Sequence, residues 1–421
     1  MTGKITDILI IGAGLSGLTA AARAAATGKK VLVAARGMGA VGLSSGCIDL
    51  WGYCLDQPDL ICTHPLREIE RLVAGTPEHP YSLVLDVLGE SLDFFQDICL
   101  ENGLRYLDNG GKNWVLPTAM GTVRPTYLAP ESMAAGPPEE YRRVLVAGFR
   151  ELKDFHPNVL AANIGRNAGL SPGCVIDIVV INTGSGTELS PVTLAHRLED
   201  PGMYQMVLKQ LEPHVTGECI VLAPPVLGGG PGPGIALKLS RDLGCKVCEV
   251  TGMPPSMPGQ RLQQTLIRHL LKTGVEVIHG CTVTGANVSG RRCTGVTVTG
   301  AGGNMKINAN YFILATGSFL GGGLEAGPDR VSETVFGLPV KTTCGEWTEE
   351  EFLGRSGHPF SRFGIVANSR LQPLDSRGRP IIENLAVAGA NLAGSNYPIE
   401  KCGNGVAVAT GYKAGILAGD D

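Results

Sequence analysis

The chain has no excess of charge of either sign and no long block of like charges. Its 421 residues carry 35 Lys and Arg against 39 Asp and Glu, a formal net charge of −4. A protein that binds nucleic acid through the phosphates presents a strongly basic surface. The charge balance therefore argues against a nucleic-acid partner.

The sequence also lacks a run that could cross a membrane as a helix. Its longest charge-free stretch, Cys219 to Leu237, contains four prolines and five glycines, which exclude a continuous helix. No secretory signal precedes the first strand-like run. We therefore expect a cytoplasmic protein that meets a membrane only through its surface or a partner.

Cysteine is sparse. The 12 cysteines are too dilute for a disulfide scaffold, and we expect most of them to be small buried apolar residues. Cys245 and Cys248 form a C-x-x-C pair, but no second pair completes four metal ligands, and on a strand the two thiols point to opposite faces. No ferredoxin-like cysteine run occurs, so the sequence predicts neither a metal site nor an iron–sulfur cluster.

Glycine, in contrast, is abundant. It makes up 59 of 421 residues, which is about twice its usual share of ~7%. The glycines lie among apolar runs without a collagen-like period, so they indicate tight turns and loops that cradle a nucleotide. The length predicts about two or three domains.

A dinucleotide-binding fingerprint opens the chain. A strand (Asp7 to Ile11) runs into Gly12-Ala13-Gly14-Leu15-Ser16-Gly17, an alanine-rich helix (Leu18 to Thr27) and a second strand (Lys30 to Ala34). Gly12 permits the tight turn, Gly14 the approach of a phosphate, and Gly17 the packing of helix on strand. The alternative is a tight turn of this kind that binds no ligand.

Two later segments also place a strand before a glycine-containing turn. The first is a helix (Arg261 to Thr273), a strand, an antiparallel meander and a last strand (Tyr311 to Leu314) that ends in Ala315-Thr316-Gly317. The second is a strand region (Asn384 to Ala390), followed by Cys402-Gly403-Asn404-Gly405 and a helix (Val406 to Leu417).

Cys402 lies just before this helix. A helix N-terminus lowers a thiol pKa, which makes Cys402 a candidate reactive group, although we favour a packing role for it.

This order predicts an α/β fold, Rossmann-like and FAD/NAD(P)-binding, of the glutathione-reductase type, with an inserted substrate or cap domain. We expect a discontinuous flavin-binding domain of residues 1–50, 256–320 and 380–421. Residues 51–255 and 321–379 then form the inserted domain, which binds substrate or a partner.

A set of short motifs occurs in order along nearly the whole chain. The motifs are Ser44-Ser45-Gly46-x-x-Asp49-Leu50, His79-Pro80-Tyr81, Gly121-Thr122-x-Arg124, Pro254-Pro255-Ser256, Arg261-Leu262-Gln263, Gly317-Ser318-Phe319, Gly322-Gly323-Leu324, Gly345-Glu346-Trp347 and Cys402-Gly403-x-Gly405. This set resembles the B subunit of the anaerobic glycerol-3-phosphate dehydrogenase family. Several are short, but as an ordered set they are specific.

The resemblance implies a flavoprotein subunit with FMN, and with FAD as the alternative. It also implies two partners: an FAD-containing catalytic subunit, and an iron–sulfur subunit that docks on the inner face of the cell membrane. The complex would oxidise sn-glycerol 3-phosphate to dihydroxyacetone phosphate and pass electrons to the quinone pool. The expected cofactor-binding residues are Gly12, Ala13, Gly14, Ser16, Gly17, Arg36, Ser44, Ser45, Gly46, Ala315, Thr316, Gly317, Gly389, Ala390, Gly403, Asn404 and Gly405.

One element of the usual dinucleotide site is missing. An acidic residue normally ends the second strand and holds the adenosine ribose, but here Ala34, Ala35 and Arg36 follow Val33. This favours FMN, which has no adenosine, or an FAD that is held differently. Arg36 could instead meet the 2′-phosphate of NADP or lie in solvent.

Oxidation of a polyol phosphate needs cations for the phosphate and a base for the hydroxyl proton. We expect Thr122, Arg124 and Arg261 to bind substrate, with Arg355 as a further candidate, since arginine offers a bidentate fork. Arg124 is the first choice, and a structural ion pair is its alternative role.

His358 is the candidate base among the histidines, ahead of His156 and His269, unless the partner supplies the base. Two other functions stay open. One is a stand-alone FAD- or NADPH-linked oxidoreductase of another substrate, and the other is a non-catalytic flavin-binding assembly subunit.

Overall fold

The computed structural model describes residues 3–167, 169–232, 234–343 and 345–420. Its strands are β1 (Lys4–Ile11), β2 (Val31–Ala34), β3 (Tyr106–Leu107), β4 (Trp114–Pro117), β5 (Val123–Thr126), β6 (Ala129–Pro130), β7 (Arg143–Phe149), β8 (Val175–Ile181), β9 (Cys219–Ala223), β10 (Lys246–Glu249), β11 (Glu276–Ile278), β12 (Cys281–Ser289), β13 (Arg292–Gly300), β14 (Gly303–Leu314), β15 (Leu324–Ala326), β16 (Val331–Glu333) and β17 (Leu385–Val387).

The α-helices are α1 (Leu15–Ala25), α2 (Pro65–Gly75), α3 (Leu88–Glu101), α4 (Pro157–Asn167), α5 (Pro191–Arg197), α6 (Pro201–Leu211), α7 (Gly234–Leu243), α8 (Met257–Lys272), α9 (Tyr397–Glu400) and α10 (Gly403–Asp420). Within the described ranges, no helix combines the length and the apolar character that crossing a membrane requires.

The larger sheet has seven strands in the order β11-β2-β1-β14-β13-β12, with β17 beside β14. Strand β1 pairs in parallel with β2 and β14, and its last residue, Ile11, is level with Ala34 and with Leu314. Leu314 is in turn level with Val387 at the end of β17. The loops that follow these four strands therefore meet at one edge of the sheet, where ligands bind in open α/β folds.

Helices α1 and α10 pack closely against each other beside this sheet. A Cβ on Gly411 would lie 2.3 Å from the Ser16 carbonyl oxygen, and one on Gly415 would lie 2.8 Å from that of Ala20. Because residues four apart share one helix face, these glycines form a smooth stripe on α10. Part of the glycine excess therefore serves helix packing, a role that the glycine count does not predict.

The second sheet is parallel, in the order β10-β9-β7-β8, and has its own hydrophobic core. Helices α4 and α6 pack on β8, and α7 packs on β10. Helices α2 and α3 fall in the expected inserted domain, but they bury Ile69 and Phe95 in the core of the larger sheet. Their apolar faces pack on that core, so the boundary expected at residue 51 needs correction. The rest of the division into two domains stays a proposal.

Helix α8 begins earlier than the apolar spacing predicts. The Oγ of Ser256 accepts a hydrogen bond from the Gly259 N–H at 3.2 Å, and Pro258 lies in the first turn. Both are favourable N-terminal features, so the helix starts at Met257 rather than at Arg261.

Candidate functional site

The three fingerprint glycines meet different surroundings. A Cβ on Gly12 would lie 2.3 Å from the Ala315 carbonyl oxygen, and one on Gly17 would lie 2.1 Å from that of Gly12. Both positions therefore exclude a side chain by backbone contact. A Cβ on Gly14 would meet no atom within 4 Å, so this glycine borders free space.

The free space lies at the N-terminus of α1. No side chain caps this end within the described residues, and no acidic residue lies in its first turn. Exposed amides and the helix dipole at such an end bind an anion. The buried Ala13 and Ser16 stand on either side of Gly14, and the residues present fit the phosphate of a flavin nucleotide.

The loops after β14 and β17 are joined by one asparagine. The buried Asn391 accepts a hydrogen bond from the Gly317 N–H at 2.7 Å and donates one to the Thr316 hydroxyl at 3.0 Å. Ala315 is buried beside Gly12, whereas Ala390 is exposed. Asn391 is not among the residues predicted from the sequence. Its position directly after the predicted residues Gly389 and Ala390 is the sequence feature that could have indicated it.

Gly389 is packed against the start of α1. Its φ is +70°, and a Cβ there would lie 2.4 Å from the Ser16 Oγ. Its N–H donates to the Thr410 hydroxyl of α10 at 2.8 Å. Gly389 therefore holds the third segment against the start of α1.

The segment between β2 and α2 runs past the start of α1. A Cβ on Gly39 would lie 2.8 Å from the Gly14 Cα, and one on Gly46 would lie 2.8 Å from the Pro258 Cβ. The Ser44 hydroxyl donates to the Val41 carbonyl at 2.8 Å, and the Ser45 Oγ accepts from the Cys47 N–H at 3.3 Å. Both serines thus shape the loop through local hydrogen bonds.

The start of α10 lies against residues 47–50. The Gly405 N–H donates to the Asp49 carbonyl at 3.0 Å, and the Asn404 amide donates to the Cys47 carbonyl at 2.7 Å. A Cβ on Gly405 would lie 2.5 Å from the Tyr81 hydroxyl oxygen, so a side chain at this position would push the two segments apart. At Gly403 the nearest atom to such a Cβ is the Tyr397 Cβ of α9, at 3.3 Å. The glycine turn therefore brings α10 close to the segment that contains Asp49.

Arg36 follows the end of β2 and is exposed. Its guanidinium lies beside the loop after β14, since a Cβ on Gly322 would be 3.0 Å from an Arg36 Nη atom. No acid stands at this strand end, where a carboxylate usually holds an adenosine ribose. An arginine here suits a phosphate rather than a ribose hydroxyl.

Arg124 is ion-paired with Asp49, a residue that the sequence marked only as part of a motif. The Arg124 Nη2 contacts the Asp49 Oδ2, and the two side chains are 25% and 11% exposed. The Asp49 Oδ1 and the Arg124 Nε are buried without a hydrogen-bond partner in the described part of the chain. Burial raises the pKa of Asp49, although the charge of Arg124 opposes the shift.

Arg261 does not lie at this site, which corrects its expected role in substrate binding. Its guanidinium contacts both Glu249 carboxylate oxygens, at 2.6 and 2.8 Å, and its Nε donates to the Gly228 carbonyl at 2.9 Å. The Arg261 side chain is 5% exposed. Three of its five N–H donors are used inside the protein, and the buried side chain is held by Glu249 rather than presented to a substrate.

Thr122 and His358 make hydrogen bonds to other groups than the pair. Thr122 is exposed in the β4–β5 turn, with its hydroxyl 2.8 Å from that of Thr118. The His358 Nδ1 accepts from the Glu349 N–H at 3.1 Å, and its Nε2 lies 3.1 Å from the Phe352 carbonyl. Both ring nitrogens are therefore engaged by backbone, which contradicts the expected role of His358 as a base.

A buried cluster of His79, Glu400 and Cys402 lies next to the start of α10, with its ligand-type atoms within 4.8 Å of one another. The His79 Nδ1 accepts from the Tyr81 N–H at 3.2 Å, so the Nε2 carries the proton that faces Glu400 at 3.4 Å. Burial raises the pKa of Cys402, opposite to the lowering that a helix N-terminus gives. The cluster is a hydrogen-bonded support for α10.

The chain is similar to known proteins over nearly its whole length. The model of the family described as FAD binding domain matches residues 7–406. The B subunit of the anaerobic glycerol-3-phosphate dehydrogenase of Vibrio cholerae is 29% identical over 97% of this chain and 95% of its own length. The probable B subunit of the same enzyme in Halobacterium salinarum is 29% identical over 99% of this chain and 98% of its own.

Solved structures give weaker likenesses. A 3-ketosteroid delta1-dehydrogenase from Sterolibacterium denitrificans has a TM-score of 0.48 and 12% identity, covering 99% of this chain and 100% of that one. A flavocytochrome c3 fumarate reductase has a TM-score of 0.46 and 11% identity, covering 99% and 78%.

The resemblance to the B-subunit family is confirmed by these relatives, and the α/β flavoprotein fold is confirmed by the family match. The expectation of a flavin is confirmed as well; the family description names FAD, which the sequence left as the alternative to FMN. The match runs from β1 into α10 and includes all three glycine segments of the site, so the chain belongs to the FAD-binding domain family.

Proposed function

We propose that the chain is the flavin-binding B subunit of an anaerobic glycerol-3-phosphate dehydrogenase. The observation that carries this proposal is the likeness to relatives of that name over 97% of the chain. The reaction is the oxidation of sn-glycerol 3-phosphate to dihydroxyacetone phosphate. Electrons then pass through an iron–sulfur partner toward quinone, with this subunit held at the inner face of the membrane by its partners.

The cofactor that we propose is FAD, because the family is described as FAD-binding. The amides at the start of α1 and the space beside Gly14 would hold its phosphates, with Arg36 as an additional cation. When bound, a flavin accepts two electrons from a substrate. Since no acid follows β2 at Ala34, Ala35 or Arg36, the adenosine ribose would be held by other groups, and FMN is the competing outcome.

The Asp49–Arg124 pair is the proposed substrate site. Arg124 is partly exposed and can hold a phosphate, whereas the Asp49 Oδ1 has no partner within the described residues and can accept a hydroxyl proton. Gly405, which contacts Asp49, lies six residues from Gly411 beside α1, or about 9 Å along the helix. Helix α10 therefore joins the start of α1 to the segment that contains Asp49.

Asp49→Asn is expected to lower kcat for glycerol 3-phosphate by about 100-fold or more, the usual range for loss of a general base. A carboxylate base works when deprotonated, so wild-type kcat/KM should fall as the pH drops through the pKa of Asp49, which lies above the ordinary 3.8. The variant should lack this acidic limb. Initial rates with a dye acceptor across pH measure both effects.

Asp86→Asn is the matched control, because Asp86 is 64% exposed and pairs with Lys413 away from the site. It should keep both the rate and the pH profile of the wild type. An Asp49→Asn enzyme with wild-type kcat and an unchanged acidic limb would exclude Asp49 as the base.

The proposed function is tested on the purified chain together with its partner subunits. Mass spectrometry of the flavin released on denaturation should give FAD, and the complex should reduce a dye with glycerol 3-phosphate. Oxidation of NADPH by the isolated chain, abolished by Arg36→Ala, would favour the stand-alone oxidoreductase. Unchanged substrate oxidation in an Arg124→Ala complex would favour the assembly role without catalysis.

A further inference from the structure

Lys401 stands between α9 and α10, next to the Asp49–Arg124 pair. A Cβ on Gly52 would lie 2.8 Å from the Lys401 Cβ and 3.0 Å from the Cγ of Pro125, the residue after Arg124. Lys401 and Pro125 of β5 therefore both lie next to Gly52. The Gly52 N–H also donates to the Glu400 carbonyl at 2.8 Å, which fixes the backbone before Lys401.

The backbone of Lys401 is left-handed, with φ 51° and ψ 56°. Glycine is the usual residue at such a position after a helix, because a Cβ is disfavoured there. A lysine in this conformation is uncommon, and backbone strain of this kind is concentrated at functional sites. Its Nζ donates to the Pro398 carbonyl at 2.6 Å.

The Asp49–Arg124 pair is close enough to Lys401 to act on its charge. Burial lowers the pKa of Lys401, the charge of Arg124 lowers it further, and Asp49 acts in the opposite direction. The neighbouring Glu400 carboxylate is engaged by the Asn396 N–H at 2.6 Å and by His79.

A second observation points to a ligand. Asp49 is 8% exposed, and its Oδ1 has no hydrogen-bond partner among the described residues. The Arg124 Nε is likewise buried and unpartnered. Buried polar atoms are rarely left without a partner, so a polar ligand that contacts the pair would satisfy them.

We propose that Lys401 and Arg124 together bind the phosphate of a small phosphomonoester, with the Asp49 Oδ1 left for a hydroxyl of the same molecule. This inference rests on the proposed function and deepens it by assigning the second phosphate-binding cation. On binding, the Lys401 amine exchanges the Pro398 carbonyl for phosphate oxygens. No covalent step is involved.

The test is titration of the flavin-loaded complex with sn-glycerol 3-phosphate and with inorganic phosphate, followed by calorimetry. Lys401→Met should weaken both affinities by about 10- to 100-fold, as expected for loss of a hydrogen bond to a charged group. Lys401→Arg should recover much of the loss. Lys413→Met, on helix α10 and paired with Asp86, is the control that should bind as the wild type.

Lys401→Gly separates binding from folding. It relieves the left-handed backbone, so it should melt above Lys401→Met while binding phosphate as weakly. Equal phosphate affinity in Lys401→Met and wild type would overturn the role of Lys401 and leave the proposed function standing. If phosphate binding depends on Lys401 but the complex does not oxidise glycerol 3-phosphate, the anion site is supported and the proposed function is overturned. If the wild type binds no phosphate, the anion site is overturned.

Discussion

Gly14→Val is expected to abolish flavin binding while the protein still folds. A Cβ at Gly14 meets no protein atom within 4 Å, and Gly14 does not have a positive φ, so the fold tolerates a side chain there. The added methyl groups instead fill the space at the start of α1 that a phosphate needs. Loss of two charge-assisted hydrogen bonds of about 1.5 kcal/mol each weakens binding at least about 100-fold.

The measurement is the flavin absorbance of the purified protein, together with its circular dichroism. Gly302→Val is the matched control, since a Cβ there also meets nothing within 4 Å, in the turn between β13 and β14. Gly17→Val should fail to fold, because its Cβ would lie 2.1 Å from a backbone oxygen. A Gly14→Val protein with full flavin content would place the cofactor elsewhere.

Arg261→Met is expected to lower the free energy of unfolding by about 3 to 5 kcal/mol, because it leaves the Glu249 carboxylate buried without its cation. Glu249 is fully buried beneath Arg261 and also accepts from the Ser132 hydroxyl at 2.8 Å and the Leu227 N–H at 2.7 Å. Urea denaturation followed by circular dichroism measures the change.

The double variant Arg261→Met with Glu249→Gln should lose less stability than Arg261→Met alone. Glutamine removes the unpaired charge and still accepts from Leu227. Arg379→Met, which breaks an exposed pair with Asp375, should change stability by no more than about 1 kcal/mol. An Arg261→Met protein of wild-type stability with a raised KM would restore Arg261 as a substrate residue.

Local patterns in the sequence are sufficient for much of the fold. The first strand, the glycine turn and the helix after it follow from a buried apolar run and three glycines within a short stretch. The strand predicted at Lys30 to Ala34 corresponds to β2, Val31–Ala34. The starts of helices are predicted less accurately. Helix α8 begins after a serine cap and α10 begins at Gly403, and both starts precede the first residue of the apolar pattern.

The site residues that the sequence does not reveal depend on distant contacts. Asp49 meets Arg124 from 75 residues away, and Asn391 meets Gly317 from 74 residues away. Arg261 and His358 are candidates by residue type, yet their donors and acceptors are used by Glu249, Gly228 and loop backbone. Residue type gives the capacity for hydrogen bonding, and only folding decides which partner uses it.

The sequence by itself determined the nucleotide-binding fingerprint, the balanced charge and the missing acid after Val33, because each is a property of neighbouring residues or of composition. The tertiary structure decided what each glycine does. Gly14 borders free space, whereas Gly12, Gly17 and Gly411 allow backbones to approach closely. The physical reason is that a missing Cβ serves a ligand or a packed backbone equally well, and only the surrounding atoms distinguish the two.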